Sequence, residues 1–120
     1  MLSKNDSCGC PQGLLRPFKY INIDIIPPES SGVYGFWFRK LCLYIGKAQN
    51  RALKTRLFEH WNGSHNPELN SWLAAKGASV NFVYLEIEKN TEIDAWERFY
   101  IKKYNPITNV IRYRSVREIA

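Results

Sequence analysis

Two short apolar runs with a polar break between them constrain the fold of this chain most strongly. The runs span residues 33–38 and 41–45, and Arg39-Lys40 separates them. Both are short, rich in aromatic and aliphatic residues and bounded by turn residues, which is typical of β-strands. The segment therefore predicts a β-hairpin.

Each predicted strand of the hairpin carries a tyrosine in a short glycine-containing motif. The motifs are Gly32-Val33-Tyr34 and Tyr44-Ile45-Gly46. A two-residue turn would place Tyr34 and Tyr44 on opposite faces, because side chains alternate along a strand. A three-residue loop or a β-bulge would place them on one face. A shared active site predicts such an irregularity.

Helices are expected around this hairpin. Leu53, Leu57 and Trp61 recur every four residues and indicate the buried stripe of a helix. Thr91 and Asp94 resemble a capping box that opens a later helix. Three helices are predicted, at residues 50–61, 66–77 and 91–105. One further strand is predicted at residues 79–87. The fold class is therefore α/β (α+β): a small three-stranded, mainly antiparallel sheet flanked by helices.

The chain divides into a core and two terminal segments. Residues 1–31 read as a tail that contains an extra edge strand at 19–26, where apolar and polar residues alternate. Residues 32–110 form the predicted domain, and 111–120 a basic tail with three arginines. A chain of 120 residues is enough for one packed domain.

The net charge of +6, from 17 basic and 11 acidic residues, indicates a polyanionic partner such as DNA. A merely basic soluble protein is the alternative. No apolar run approaches the roughly 20 residues of a membrane helix, and no signal segment is recognised. Cys8, Cys10 and Cys42 lack the spacing of a metal site, and Cys42 is expected in the core. A cytoplasmic, reducing location is expected.

Glu97 is the acidic residue that is hardest to explain by structure alone. Its neighbours on the third predicted helix include Asp94, Tyr100 and Ile101, and none of its i±3 and i±4 neighbours is basic. A carboxylate on an apolar face is costly unless a cation or hydrogen-bond donors compensate it. The structural alternative is an edge residue whose tip reaches water. The functional hypothesis is a ligand for one hard divalent ion.

Arg56 and His60 are four residues apart, so they project from one face of the first predicted helix. Arg56 could simply pair with Glu59, and a lone histidine is often an ordinary imidazole. Beside two tyrosines, however, the pair suits a phosphate contact and a proton carrier. A tyrosine acting as a base must titrate well below its ordinary value of about 10. Lys47, directly after the second tyrosine motif, is the cation expected to lower it.

Together these residues resemble the GIY-YIG nuclease family. The first triplet has valine for the usual isoleucine, and residues 44–48 match the second triplet almost completely. Arg56 and His60 match the family's helix arginine and the His or Tyr one turn later. Residues 97–109 look like its metal-binding helix. The resemblance covers about residues 32–109 and is especially strong for the nuclease module of bacterial excision-repair UvrC proteins. Two extra residues after Asn50 leave Lys54 as the alternative to Arg56.

The resemblance implies a role for each matching residue. Tyr34 would be the general base that activates water, helped by Lys47 and His60. Tyr44 would orient the phosphate or the water. Arg56 would stabilise negative charge in the transition state.

The resemblance also implies a metal ligand and a structural residue. Glu97 would hold a single Mg²⁺ (or Mn²⁺), which polarises the phosphate and stabilises the leaving oxygen. Asn109 would brace the site through hydrogen bonds. Because one such site cuts one strand, cleavage of both strands would need a homodimer or two successive events.

Three functions are therefore weighed. The main hypothesis is a Mg²⁺-dependent DNA endonuclease that hydrolyses phosphodiester bonds. The first alternative is a catalytically inactive nucleic-acid-binding module on the same scaffold. The second is an unrelated basic α/β domain, which a structure with Tyr34, Arg56 and Glu97 far apart would support. Target specificity would come from the terminal segments, a loop or a partner protein, and repair, restriction, recombination and mobile-element roles all fit.

Overall fold

A four-stranded antiparallel sheet with helices on both faces organises residues 14–109, the part of the chain that the computed structural model describes. The strand order is β1-β4-β2-β3. The strands are β1 Arg16–Pro17, β2 Gly32–Phe38, β3 Leu41–Ala48 and β4 Val80–Glu86, and the helices are α1 Tyr20–Asp24, α2 Leu53–Gly63, α3 Pro67–Lys76 and α4 Asn90–Tyr104. The predicted α/β class is confirmed, and the fourth strand, β1, is N-terminal, as was the extra edge strand predicted beside the other three.

The predicted hairpin is formed by β2 and β3 and contains a β-bulge. Arg39-Lys40 is a two-residue turn, and the first pairs beside it follow the simple register. The register then shifts so that Phe36 pairs with Tyr44, which leaves Leu43 as the extra residue. Because Tyr34 and Phe36 are two residues apart on β2, both share a face with Tyr44. The condition for a shared face is met by the bulge, as predicted.

The N-terminal segment forms a different element from the predicted one. The edge strand is β1, only two residues long and paired with β4, whereas the predicted strand at 19–26 is wrong. That stretch contains α1 because the isoleucines it buries, Ile23 and Ile26, are three residues apart. Ile21 and Ile25, which alternation would place beside Ile23, are 69% and 72% exposed.

Helix α2 confirms the predicted stripe at two of its three positions. Leu53 and Leu57 are fully buried, but Trp61 is 43% exposed and His60 is buried instead. His60 lies seven residues after Leu53, almost two whole turns, so it remains on the same face. The core side of α2 therefore ends in an imidazole.

The ends of α3 and α4 agree with the sequence in part. Asn66 caps α3 and accepts a hydrogen bond from the backbone of its first turn. The predicted capping box of Thr91 and Asp94 is wrong, because Lys89 is the N-cap of α4 and its side chain makes no capping hydrogen bond. Helix α4 ends at Tyr104 and is followed by Asn105 in the left-handed conformation, with φ 48°. A helix end near Asn105 was predicted, because a proline follows it.

Two apolar clusters pack on opposite faces of the sheet. The first joins β2, β3 and β4 to α1, α2 and α3, and it includes Tyr34 and Tyr44. The second joins the other face to α4 and includes the predicted core residue Cys42, which is buried. Beyond α4, the backbone of residues 107–108 bonds to Cys42 and Leu43, so this segment runs along β3. The edge of β3 that no other strand pairs with is thus covered by this segment.

Some predictions concern residues outside 14–109. These are Cys8, Cys10 and the arginines of the C-terminal tail, at positions 112, 114 and 117. Among the helices that the structure describes, none combines the length and apolar character needed to cross a membrane.

Candidate active site

A small polar pocket of about 240 Å³ opens where β3, α2 and α4 approach one another. Strand β3 contributes Tyr44 and Lys47, α2 contributes Arg56, and α4 contributes Glu97. Four of the seven predicted site residues therefore line one pocket. Two residues that sequence reasoning missed complete its wall, Gln49 and Arg51, which follow β3 directly.

Tyr34 and His60 lie behind this pocket as a hydrogen-bonded pair. The Tyr34 Oη is 2.7 Å from His60 Nε2, and the two side chains are 0% and 2% exposed. The Tyr44 ring lies 6.2 Å from the Tyr34 ring and 5.6 Å from the imidazole. The other imidazole nitrogen, Nδ1, is 2.9 Å from the Ser64 Oγ. The bulge and the core face of α2 thus bring two phenols and an imidazole together.

Arg56 connects the pair to the pocket. Its guanidinium contacts the Glu59 carboxylate at 3.2 Å and His65 Nε2 at 3.3 Å, and it also donates a hydrogen bond to Tyr34. The pairing with Glu59 that the sequence offered as an alternative is therefore present together with the site contact. Lys54, the alternative position for this arginine, instead pairs with Asp24 of α1 at 3.3 Å.

Burial controls the protonation of Tyr34. Its enclosure raises the pKa of the phenol well above its ordinary value, and the neighbouring Tyr44 raises it further. The positive charge and hydrogen bond of Arg56 oppose this shift. Lys47, the cation expected to act here, forms an ion pair with Asp94 of α4. Tyr34 is therefore a protonated phenol in the free protein, contrary to the lowered pKa that the sequence argument required of a base.

His60 is shifted in the complementary direction. Burial first, and then the positive charge of Arg56, lower its pKa to about 3, so the imidazole is neutral near neutral pH. The protonated Tyr34 hydroxyl, whose oxygen accepts from Arg56, has its proton available for the neutral His60 Nε2. In that tautomer Nδ1 carries the imidazole proton and donates a hydrogen bond to Ser64 Oγ. This arrangement is a preformed path from the phenol to a neutral base.

Glu97 projects into the pocket from the middle of α4. It is half-buried and lies one turn after buried Ile93 and one turn before buried Tyr100. No group of three or more His, Cys, Asp or Glu residues within 14–109 is arranged to hold a metal ion. A single carboxylate facing an open polar pocket nevertheless fits a hard cation that keeps most of its water ligands, as Mg²⁺ does.

Asn109 holds β3 from the side. Its side chain accepts a hydrogen bond from the Ile45 N–H at 3.0 Å and donates one to the Ile45 carbonyl at 3.1 Å. Both partners are buried, so the amide replaces the neighbour that this edge strand lacks. Asn109 lies outside the pocket and contacts the strand between Tyr44 and Lys47.

Comparison with known proteins gives a consistent result. Residues 30–111 match the model of the GIY-YIG catalytic domain. The UvrABC system protein C of Fusobacterium nucleatum is 40% identical over 91 residues, which cover 74% of this chain. The chain spans only 14% of the length of that relative.

Solved structures share the fold. The GIY-YIG N-terminal endonuclease domain of UvrC from Thermotoga maritima matches with a TM-score of 0.59 and 28% identity, over 74% of this chain and 91% of that one. A second structure of the same domain matches with a TM-score of 0.54 and 27% identity, with the same coverage. Each is a tyrosine-to-phenylalanine point mutant bound to the catalytic divalent cation of that protein.

Proposed function

Since the chain belongs to the GIY-YIG nuclease family and carries the endonuclease domain of that family, we propose that it is a Mg²⁺-dependent DNA endonuclease. The observation that carries this proposal is the convergence of Tyr34, Arg56 and Glu97 from three different elements on one pocket and the wall behind it. An unrelated basic domain would have no reason to assemble them.

The basic side chains around the pocket would bind the phosphate. Arg56 presents a planar guanidinium suited to two phosphate oxygens, and Lys47 and Arg51 line the same wall. Contacts of this kind do not depend on the base sequence and weaken with added salt. Arg56 would hold the scissile phosphate and stabilise the charge that develops on it.

The buried pair would remove the proton from the attacking water. The Tyr34 oxygen takes a proton from water as its own proton passes to His60 Nε2, 2.7 Å away. Burial and, after it, the positive charge of Arg56 lower the pKa of His60 in the free protein, and a phosphate bound at Arg56 offsets that charge. Substrate binding thereby makes the imidazole more basic when the proton arrives. This relay does not require a Tyr34 that is ionised beforehand.

Glu97 would be the protein ligand of a divalent cation, as supported by the cation bound to the two Thermotoga domains. When bound, such a cation neutralises charge on the phosphate and on the leaving oxygen. We assign the ion as Mg²⁺, with Mn²⁺ as a substitute, because one carboxylate in an open polar pocket leaves room for water ligands. The Lys47–Asp94 pair keeps the second acid of this helix face away from that role.

The proposal is tested by nicking of a supercoiled plasmid with Mg²⁺. We expect the wild type to nick it, and EDTA or Glu97→Ala to abolish the reaction. Glu92→Ala, an exposed acid on the first turn of the same helix, is the matched control and should cleave normally. A single pocket predicts nicks before linear product, unless a homodimer or a partner protein presents a second site.

The alternative is a nucleic-acid-binding module without catalysis. In that case plasmid, nicked and branched DNA would all remain intact with every divalent ion, although the protein still binds them. This result would establish the alternative and exclude the nuclease. A panel of branched, flapped and damaged substrates would then define the target of an active enzyme.

A further inference from the structure

The loop between α2 and α3 contacts both proton-handling and phosphate-binding side chains of the site. Ser64 Oγ is 2.9 Å from His60 Nδ1, and His65 Nε2 is 3.3 Å from a terminal nitrogen of Arg56. These adjacent loop residues thus reach two neighbours on the same face of α2. Neither loop residue lines the pocket itself, and neither was singled out by the sequence.

The loop is tied to the rest of the fold on both sides of these two residues. The Ser64 N–H donates to Asn70 Oδ1 at 3.1 Å, and the Asn66 N–H donates to Ser64 Oγ at 3.2 Å. Buried Asn66 also donates to the Thr108 carbonyl at 3.4 Å and caps α3 at Leu69. The backbone of the loop is therefore fixed to α3 and to the segment that runs along β3.

His65 is chemically suited to hold the arginine. A neutral imidazole presents one acceptor nitrogen, and Arg56 has only donors to offer. The groups that face the His65 ring include the His60 ring at 5.3 Å, the Tyr44 ring at 6.5 Å and the Arg56 guanidinium, whose other nitrogen is held by Glu59. Glu59 and His65 contact different terminal nitrogens of Arg56 and together fix the plane of its guanidinium group.

Ser64 is suited to orient the histidine. If Tyr34 donates to Nε2, the imidazole must carry its proton on Nδ1, and Ser64 Oγ accepts it. The hydroxyl thus favours the tautomer whose free lone pair faces the phenol. Removing the hydroxyl would leave both tautomers accessible.

We propose that Ser64 and His65 are positioning residues of the nuclease site, Ser64 for the tautomer of His60 and His65 for the orientation of Arg56. The inference rests on the proposed function, since the two side chains they hold are the proposed proton acceptor and phosphate ligand. Displacing a catalytic group by about 1 Å can cost about 100-fold in rate, so such support has measurable consequences.

Steady-state cleavage of a short labelled duplex with Mg²⁺ tests the role of His65. We expect His65→Ala to lower kcat about 10-fold with little change in KM, because a hydrogen bond to a charged group is lost while the phosphate ligand remains. His65→Gln, whose amide oxygen can accept from Arg56, should recover most of the rate. Equal kcat values for His65→Ala and the wild type would overturn the proposal, as would no recovery in His65→Gln.

NMR of ¹⁵N-labelled protein without DNA tests the same contacts independently of cleavage. We expect the wild-type His60 ring to show a protonated Nδ1, Ser64→Ala to shift both ring nitrogens toward a mixture of tautomers, and Ser64→Thr to keep the wild-type signals. Ser71→Ala, an exposed hydroxyl on α3, is the control. Unchanged His60 signals in Ser64→Ala would overturn the proposal even if the enzyme is active. A wild type that cleaves no DNA would refute the proposed function alone.

Discussion

The phenol oxygen of Tyr34 lies 2.7 Å from Nε2 of His60, and both side chains are shielded from solvent. Burial shifts their pKa values in opposite directions, so the neutral form of each is favoured. A neutral donor facing a neutral acceptor is a path for a proton rather than an ion pair. This distinguishes the site from one that depends on a preformed tyrosinate.

The pH dependence of stability tests the state of His60. Its pKa is about 3 in the folded protein, below its ordinary value of 6.5, so between these values the unfolded chain binds a proton that the folded chain excludes. The free energy of unfolding should therefore fall as the pH is lowered from about 6.5 toward 3, by up to about 1.4 kcal/mol per pH unit.

Urea unfolding at several pH values measures this slope. His60→Gln, which does not titrate, should show a shallower dependence over the same range. An identical slope in His60→Gln and the wild type would mean that His60 is not the buried neutral imidazole described above.

Substitutions in α2 distinguish the arginine of the site from its neighbour. Arg56→Ala should reduce the cleavage rate by about 100-fold or more, because the donor that stabilises the phosphate is lost. Lys54→Ala should cleave at the normal rate, since Lys54 pairs with Asp24 on the far side of the helix. A larger loss of cleavage rate in Lys54→Ala than in Arg56→Ala would show that Lys54, not Arg56, is the phosphate ligand.

Two glycines test the close approach of the tyrosines. A Cβ at Gly46 would lie 2.6 Å from the Tyr34 hydroxyl and 2.6 Å from the Tyr44 ring. Gly46→Ala should therefore displace both rings, lower the free energy of unfolding by about 1–3 kcal/mol and reduce cleavage further than the lost stability explains. Thermal unfolding and cleavage assayed well below the melting temperature separate the two effects.

Gly77→Ala is the matched control for this glycine. A Cβ at Gly77 meets nothing within 4 Å, and its backbone is helical with φ −47°. The free energy of unfolding should stay the same or rise by about 0.4–1 kcal/mol. If Gly46→Ala is as well tolerated as Gly77→Ala, the tyrosines are not packed as described.

The sequence predicted the parts of the fold that depend on local pattern. The hairpin, the helix at 66–77 and the bulge followed from spacing and from the requirement that Tyr34 and Tyr44 share a face. The strand at 19–26 was wrong because every second residue from Ile21 to Ile25 is an isoleucine, and alternation cannot show which of them the core accepts. A short helix that buries Ile23, with Ile26 buried just after it, satisfies the same composition.

Long-range partners were beyond the sequence. Lys47 follows the second tyrosine motif directly, but its ammonium pairs with Asp94, 47 residues later. The cation that acts on the Tyr34 phenol is instead Arg56. The contacts of Ser64 and His65 depend equally on how the α2–α3 loop folds back. Periodicity did place His60 and Arg56 on one face, which is why they could be proposed together.

Cleavage by Tyr34→Phe is the most direct test of the central claim, that the buried phenol passes a proton from water to His60. Only the oxygen is removed, so DNA and divalent-ion binding should be retained while the single-turnover cleavage rate falls by about 100-fold or more. Tyr84→Phe, on β4, is the control and should cleave normally. A Tyr34→Phe variant that folds and cleaves DNA at the wild-type rate would contradict the account.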